Sequence, residues 1–366
     1  MDLTKISVVL PSLDPDEKLI AVIDGLLEYG FSDIILVNDG SKPENMHYFE
    51  TAAQHPEVHL LLHEVNKGKG VALKDAFRWF LENRPDGLGV VTVDGDNQHH
   101  PEDTRACVEK MLETGNVVLG CRDFSLPHVP KRSRMGNNIT CGVFRLLVGM
   151  KVSDTQTGLR AIPVSVLPAF CNVYGDRFEY ETNMLLAMKE QNIPHDEVKI
   201  RTVYIEENKS SHFHAVRDSW RIYKLILKHF VEYTLSGVVS WIVDSGLFAL
   251  LSWLLHDVLA GFALSAVTMG VARAISSLIN FFMNKRLVFH SHASTGKALL
   301  RYYSLAIPTL LMQVGLTYGV YTLFNISADR IILRTVIHSI VMVVLFISSF
   351  MLQQRWVFTQ KGKKKD

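Results

Sequence analysis

Only four cysteines, Cys107, Cys121, Cys141 and Cys171, occur in 366 residues, and none forms a C-x-x-C pair. Their scatter argues against a zinc site or a disulfide framework and leaves reduced, buried thiols. An excess of one charge is also missing. With 38 Lys and Arg against 37 Asp and Glu, the net charge of +1 argues against a nucleic-acid binder that works through overall basicity. The first apolar run, Ile6–Leu10, follows an early acid and is broken by Pro11, so it is too short for a signal peptide. The first domain is therefore expected to stay in the cytosol. A helix–loop–helix calcium site is excluded from the acidic stretch at Asp94, because its sixth and twelfth positions should be Gly and Glu and are His99 and Arg105.

What the chain does contain begins with that stretch. The apolar run Gly89–Val93 delivers Asp94-Gly95-Asp96 and then Asn97-Gln98-His99-His100-Pro101. Two carboxylates one residue apart, with a glycine that lets the backbone turn, can share one divalent cation and hold it against a diphosphate. An ordinary acidic turn has the same composition. Around it, Ile6–Leu10, Asp33–Val37, His59–His63, Gly89–Val93 and Val117–Cys121 read as strands of a parallel sheet buried on both faces. Between them, Glu17–Tyr29, Gly68–Glu82 and Glu102–Glu113 have helical spacing, with Pro101 placed as a first-turn proline. This is an α/β sandwich. Its ligand belongs beyond the carboxyl ends of the strands, where Pro11–Asp14, Asn38–Ser41 and Asp94–Gln98 should converge.

The second half of the chain reads as a membrane protein. Hydrophobic content of 48% and a mean hydropathy of +0.14 are high for a soluble protein. Four apolar segments, 231–255, 259–283, 303–324 and 331–352, each approach the ~20 residues that cross a bilayer. Lys285, Arg286, Lys297 and Arg301 in the second inter-helix loop, and Lys361 and Lys363–Lys365 in the tail, are expected to place that loop, the C-terminus and the first domain on the cytosolic side. The membrane half repeats itself: Lys228, Tyr233, Gly246, Leu247, Leu254, Phe281, Arg286, Val288 and Phe289 recur as Lys297, Tyr302, Gly315, Leu316, Leu323, Phe350, Arg355, Val357 and Phe358. A constant spacing implies two hairpins of one orientation. Between the halves, Arg217, Arg221, Lys224 and Lys228 share one face of a helix that is expected to lie on anionic headgroups. Asp244 and Arg273 fall inside apolar segments, where isolated charges are costly, so they are expected to face each other.

Five ordered motifs carry a resemblance. They are Val8–Asp14, Val37–Ser41, Asn66-Lys67-Gly68-Lys69-Gly70, Val93–His99 and Asp154-Thr155-Gln156-Thr157-Gly158-Leu159-Arg160. Together they resemble the family 2 glycosyltransferases, in the polyprenyl-phosphate (dolichol-phosphate mannose synthase-like) branch. The C-terminal half, with Asn280–Arg286, is similar to a GtrA-like membrane domain. The fold this resemblance implies is a GT-A-type Rossmann-like nucleotide-sugar domain followed by an all-α transmembrane domain of four helices. Its layout would be a catalytic domain at 1–213, an interfacial helix at 214–230, two repeated hairpins at 231–358 and a basic tail at 359–366.

The resemblance also implies roles. Asp94, Asp96 and Gln98 would hold Mg²⁺ or Mn²⁺. Pro11, Leu13, Asp14, Asp39, Lys67, Gly68 and Asp94 would bind the nucleotide sugar, a UDP- or GDP-hexose. Leu13 departs from the aromatic residue usual there, which removes a stacking surface for the base. Arg122 and the Pro130–Arg134 loop, Arg134 included, would meet the acceptor phosphate, and Asp154 would contact the sugar or assist the acceptor. The implied reaction is an inverting, metal-dependent hexosyl transfer to a polyprenyl phosphate, with the membrane half anchoring the enzyme or translocating its product. A lipid-linked-sugar flippase supplied by the enzyme domain is the alternative. Expected partners are the nucleotide sugar, the polyprenyl phosphate, the membrane and a second copy in a homo-oligomer, with no nucleic acid. Gln354-Arg355-Trp356 is read as an interfacial, topology-setting cluster, and His99 and His100 as lying in solvent or behind the metal rather than on it.

Overall fold

A computed structural model describes residues 3–127, 129–201, 215–259, 261–291, 293–327 and 330–358, in two units, Met1–Lys224 and Leu225–Asp366. The side chains of Arg132, Arg217, Arg221, Lys224 and Lys228, and the tail 359–366, lie outside the described residues.

The first unit is built on seven strands: β1 (Ile6–Ser12), β2 (Ile34–Asp39), β3 (Val58–His63), β4 (Gly89–Thr92), β5 (Val117–Arg122), β6 (Arg160–Pro163) and β7 (His195–Ile200). They lie in the order β3-β2-β1-β4-β6-β5-β7. Because successive side chains of a strand point to opposite faces, Val8, Leu10, Ile34, Leu36 and Val91 enter one core layer while Val9, Ile35, Val37 and Val90 enter the other. The first layer is covered by α1 (Lys18–Glu28), α2 (Met46–Ala52) and α4 (Pro101–Thr114), through Leu19, Ile23, Phe49, Cys107 and Met111. On the other side α3 (Lys69–Asn83) packs on β1 and β2, with α6 (Leu167–Cys171) and α7 (Glu179–Glu190) beside it. Between β5 and β6 runs α5 (Lys131–Val143), continued by a π-helical turn at Phe144–Val148 that ends on Gly149 in the left-handed region.

The sheet is mixed rather than wholly parallel, because β6 runs antiparallel to both β4 and β5. Neither β6, four residues led by a buried arginine, nor β7, with the polar sequence His-Asp-Glu-Val-Lys-Ile, has a strand-like apolar run. The reversal positions the site. A segment preceding an antiparallel strand arrives at the edge where the parallel strands end, so Asp154–Gly158 joins the loops after β1, β2 and β4.

Four helices follow, α8 (Ala215–Leu255), α9 (Gly261–Met283), α10 (Thr295–Leu323) and α11 (Ile331–Leu352), the second unit beginning at Leu225 within α8. One continuous 41-residue helix runs through both the expected interfacial segment and the first apolar segment. Among the described residues, Phe230–Leu255, Gly261–Val288 and Ile331–Val357 are long and apolar enough to cross a membrane. The remaining helix, α10, has the length, 29 residues, but Gln313, Pro308, four tyrosines and its basic first turns dilute its apolarity.

The internal repeat is visible as a pseudo-two-fold arrangement of contacts. Asn284 Nδ2 donates to Gln353 Oε1 at 3.1 Å, and the two residues are 69 apart. Each opens a five-residue π-helical turn, Asn284–Val288 and Gln353–Val357. Tyr233 packs on Phe350 at 5.2 Å, and its counterpart Tyr302 packs on Phe281 at 5.4 Å. Phe289 meets Phe350, and Phe358 meets Phe281, both at 5.7 Å and 37°. The symmetry breaks at mid-helix. Arg273 Nη2 lies 3.0 Å from Asp244 Oδ2, whose other oxygen accepts from Ser276. At the equivalent places of the second hairpin, Gln313 Nε2 reaches Met342 Sδ at 2.9 Å. One contact is thus ionic in the first hairpin and neutral in the second.

Asp244→Ala leaves the Arg273 charge unpaired among apolar helices and should destabilise the membrane unit by about 2–3 kcal/mol. Asp244→Gln with Arg273→Met, which copies the second hairpin, should recover most of that loss. Thermal unfolding of the detergent-solubilised chain, followed by size exclusion, measures both. Equal losses in the single and double variants would contradict the pairing.

Candidate functional site

The loops at the carboxyl ends of the strands are held together before any ligand arrives. β2 ends in Asp39, 4% exposed. Its Oδ1 accepts from His63 Nδ1 at 2.8 Å and from the Lys67 backbone N–H at 2.9 Å, and its Oδ2 accepts from the Gly68 N–H at 2.8 Å. His63 Nε2 lies 3.2 Å from Asp75 on α3. Asp39 therefore clamps the Asn66–Gly70 turn onto the sheet. Gly68 has φ +101°, and a Cβ there would fall 2.4 Å from the Asp176 carbonyl, so the turn needs glycine. Lys67 supplies its backbone while its side chain is exposed. After β1, Asp14, at φ +47°, donates its N–H to Ser41 Oγ and accepts from Lys42 N and Asn45 Nδ2. Pro11 and Leu13, half-buried beside it, complete the first wall of the crevice.

The centre of the site is Lys69, which none of the assigned roles included although it stands inside the Asn66–Gly70 motif. Its Nζ lies 2.7 Å from Asp94 Oδ1 and 3.0 Å from Glu181 Oε1, and the side chain is 17% exposed. Burial alone would pull the ammonium pKa down, but Asp94 and then Glu181 drive it above the ordinary lysine range. Burial would likewise raise Asp94. Lys69 and the facing His99, with Nε2 3.5 Å from Asp94 Oδ2, instead hold that carboxyl well below the usual range. Histidine 99 is 8% exposed and stands behind the carboxylate. Asp94 also owes its position to Gly158, where a Cβ would come within 2.2 Å of Asp94 Oδ2.

Asp96 is the contrasting partner. It accepts one backbone N–H, from Gln98 at 3.2 Å, and no basic side chain forms an ion pair with it among the described residues. Burial first, and the Asp94 charge second, raise its pKa. No group of three His, Cys, Asp or Glu that could hold a metal occurs among the described residues. The pair nonetheless fits a hard cation: two oxygen donors one residue apart, one already ionised and the other held uncompensated beside it.

On the far side of the crevice Arg122, at the end of β5, and Asp154 form a bidentate pair. Arg122 Nε donates to Asp154 Oδ2 at 2.7 Å and Nη2 donates to Oδ1 at 3.1 Å. Asp154 is wholly buried and also accepts from the Arg122 and Gln156 backbone N–H groups. Arg134 does not reach this pair. It is on the first turn of α5, where a loop was expected, because Pro130 caps a helix that no later residue breaks. Its guanidinium is spent on the carbonyls of Phe124, Ser125 and Leu126. Arg160, 1% exposed, lies beneath the site and donates to the Thr157 and Glu181 carbonyls. Glu181, in the stretch Phe178–Glu181, and Arg160, the last residue of the Asp154–Arg160 motif, are brought beside Lys69 and beneath the site by the fold.

Residues 7–169 match the family described as Glycosyl transferase family 2, and residues 232–364 match the GtrA/DPMS transmembrane domain. An uncharacterised protein of Methanocaldococcus jannaschii is 28% identical over 61% of this chain and 92% of its own. A UDP-N-acetylglucosamine–dolichyl-phosphate N-acetylglucosaminyltransferase of Methanococcus voltae is 26% identical over 55% of this chain and 86% of its own. An undecaprenyl-phosphate 4-deoxy-4-formamido-L-arabinose transferase of Yersinia pestis is 32% identical over 32% of this chain and 36% of its own. A solved glucosyl-3-phosphoglycerate synthase of Mycobacterium tuberculosis is 17% identical, covers 61% of this chain and 79% of its own, and aligns with a TM-score of 0.45, a likeness of outline on which nothing below rests.

Gly158→Ala should displace the Asp94 carboxylate by about 1 Å and lower the activity of the site by roughly 10²-fold. The melting temperature should move little, since Asp94 carries no part of the apolar core. A rate assay paired with a thermal melt of the same preparation tests this, and an unchanged rate would show that Asp94 need not stand where Lys69 holds it.

Proposed function

Because the chain joins a Glycosyl transferase family 2 domain to a GtrA/DPMS transmembrane domain, we propose that it transfers a hexose from a nucleotide sugar to a polyprenyl phosphate at the cytosolic face of a membrane. The observation that carries this reading is the pairing of a cation-poor Asp96 with a Lys69-bound Asp94 at the carboxyl edge of the sheet. A site with one lysine already inside it and one uncompensated carboxylate suits a diphosphate that comes with its own counter-cation. Asp94 and Asp96, with Gln98, are the residues that would hold Mg²⁺ or Mn²⁺. A bound divalent cation would neutralise the diphosphate leaving group.

The chain's own groups divide the remaining work. Pro11–Asp14 and Asp39 line the end of the crevice nearest β1 and β2, where the base and ribose would lie. Lys69 can exchange a carboxylate oxygen for a diphosphate oxygen without leaving its place. Arg122 and Asp154 lie on the opposite side, with the sugar and acceptor. Asp154 has no lone pair to spare for a proton, since four donors surround it. A phosphate monoester with a second pKa near ~6 does not require one, being largely ionised at neutral pH. In-line attack by that oxygen on the anomeric carbon breaks the bond to the diphosphate and inverts the configuration.

Membranes containing the chain should move label from UDP-glucose, UDP-N-acetylglucosamine or GDP-mannose into lipid extracts. No label from any of the three would overturn the reading. Asp96→Ala should abolish transfer, by about 10³-fold or more, while Asp154→Asn should keep measurable activity, a loss of about 10–100-fold from a loosened Arg122. Equal and complete losses would sink the base-free mechanism. Asp96 has a raised pKa, so lowering the pH should protonate it before an ordinary aspartate and release the cation, while Asp94 stays ionised. Mn²⁺ titrations at a series of pH values should show affinity falling on the acid side, above the range of a free carboxylate.

A further inference from the structure

Strand β7 forms one edge of the sheet, paired in parallel with β5. Val198 and Ile200 turn into the core, so the alternating Glu197 and Lys199 turn to the other face. Outward charges on an edge strand ordinarily block pairing with another chain, and for that they need no partners. Glu197 and Lys199 each have one, and both partners adjoin the Arg122–Asp154 pair in sequence.

Glu197 takes hold of Ser153, the residue before Asp154. Its Oε1 accepts the Ser153 N–H at 2.7 Å and its Oε2 accepts the Ser153 hydroxyl at 2.6 Å. The Ser153 carbonyl accepts in turn from Asn137 Nδ2 at 2.8 Å and Cys141 Sγ at 3.4 Å. Both peptide groups of Ser153 are thus pinned, and the one that joins it to Asp154 has a fixed orientation. Lys199 takes the residue after Arg122. Its Nζ lies 2.5 Å from Asp123 Oδ2, while Asp123 Oδ1 accepts from the Ser125 N–H at 2.9 Å and hydroxyl at 2.6 Å. The Lys199 ammonium first, and Ser125 second, hold the Asp123 carboxyl well below the usual range, so this ion pair is intact at neutral pH. Beyond it the Phe124 ring meets the Arg122 guanidinium, 5.1 Å from Cζ. Stability does not account for either contact. The Lys199 side chain is 74% exposed and Glu197 is exposed, and surface charges in such positions add little to a fold. What the two share is their direction: from one strand, two residues apart, they brace both members of a bidentate pair.

We propose that Glu197 and Lys199 are positioning residues for the acceptor end of the crevice, with β7 as the brace that sets Arg122 and Asp154 against each other through Ser153 and Asp123. They act through the pair rather than on a substrate. Giving that end of the crevice to the polyprenyl phosphate rests on the function proposed above; the bracing itself does not.

The test uses the full chain, solubilised in detergent for exchange and in membranes for activity. Asp154 accepts the Gln156 N–H at 3.0 Å, a bond that neither β7 residue touches, so hydrogen exchange of that amide reports on the pair itself. Glu197→Ala and Lys199→Ala should each speed this exchange about fivefold or more, with exchange in β1 unchanged. Each should also lower kcat about tenfold and raise the KM for polyprenyl phosphate about threefold. The KM for the nucleotide sugar should not move, because the walls at β1 and β2 are held by Asp39 instead. Lys199→Arg keeps the cation and should behave as the parent. Lys199→Asp should fail as Lys199→Ala does, and adding Asp123→Lys, which reverses the ion pair, should restore most of the rate. Unchanged exchange at Gln156 overturns the proposal, as does a donor KM that rises together with the acceptor KM, or a reversed pair that restores nothing. Faster exchange in the variants of a chain that transfers label from no donor would leave the brace standing and remove the acceptor reading.

Discussion

The ammonium of Lys69 between Asp94 and Glu181 is the interaction on which the first unit's site depends. Three elements meet there: the N-terminus of α3, the turn after β4 and the first turn of α7. Removing any one partner of a desolvated ionic cluster leaves an uncompensated charge, which costs more than the intact cluster gains. The geometry is enforced from the backbone. Gly68 and Gly70 let α3 begin against Asp176 and Tyr180, and Gly158 lets the β6 lead-in touch Asp94. A cation held this way is preorganised to meet negative charge, at no cost in side-chain ordering when a ligand enters.

The second unit solves a different problem, how to pack helices that expose nearly all their apolar surface outward. Its answer is a polar seam at one end of the helices. Ser236 donates to Asn284, Asn284 to Gln353, and Gln353 to Tyr233, while Tyr302 donates to Asn280. Aromatic rings from both repeats close over that seam. Hydrogen bonds between polar side chains supply the specificity that hydrophobic burial cannot supply among apolar helices. Since the seam is nearly symmetric, the Asp244–Arg273 pair marks a real difference between the hairpins: its counterpart, Gln313 and Met342, keeps the contact without charge.

Much of this was legible in the chain. The apolar runs give β1 to β5 within a residue or two, because β1, β2, β4 and β5 are buried on both faces and need no alternation, while β3 at the sheet edge keeps an apolar run. The repeat could be found from matched residues alone, since Tyr233, Phe281, Phe289 and their counterparts make equivalent contacts. What escaped did so for physical reasons. Strand β6 is short and begins with Arg160, whose charge hides a central position, and β7 lies at the sheet edge, where polar side chains are tolerated. The parallel expectation followed from those omissions. Arg134 was aimed at the acceptor by its charge, but charge says nothing of which carbonyls lie within reach. The contact of Glu181 with Lys69, rather than the residue itself, escaped: Glu181 lies 87 residues from Asp94 in sequence, and the packing of α7 on α3 brings it to Lys69.

The charges around the crevice also constrain the chemistry. Asp94, Asp96, Asp154 and Glu181 supply four carboxylates, and Lys69, Arg122 and Arg160 supply three cations, all partly or wholly buried. A bare diphosphate entering that set would deepen a negative excess in a low-dielectric place, which desolvation forbids. A diphosphate arriving with a divalent cation leaves the balance almost unchanged. Asp96 forms no ion pair among the described residues, and its carboxyl pKa is raised first by burial and then by the Asp94 charge, both of which a cation beside it would offset. Arg160, fully buried with Nη2 unpaired among the described residues, lies beneath the site and donates to the Glu181 main-chain carbonyl. Catalytic acid–base pairs need groups that can gain and lose protons near neutrality. Here Asp94 is held ionised by Lys69, and the raised pKa of Asp96 would set a proton against any cation held beside it rather than in service of the reaction.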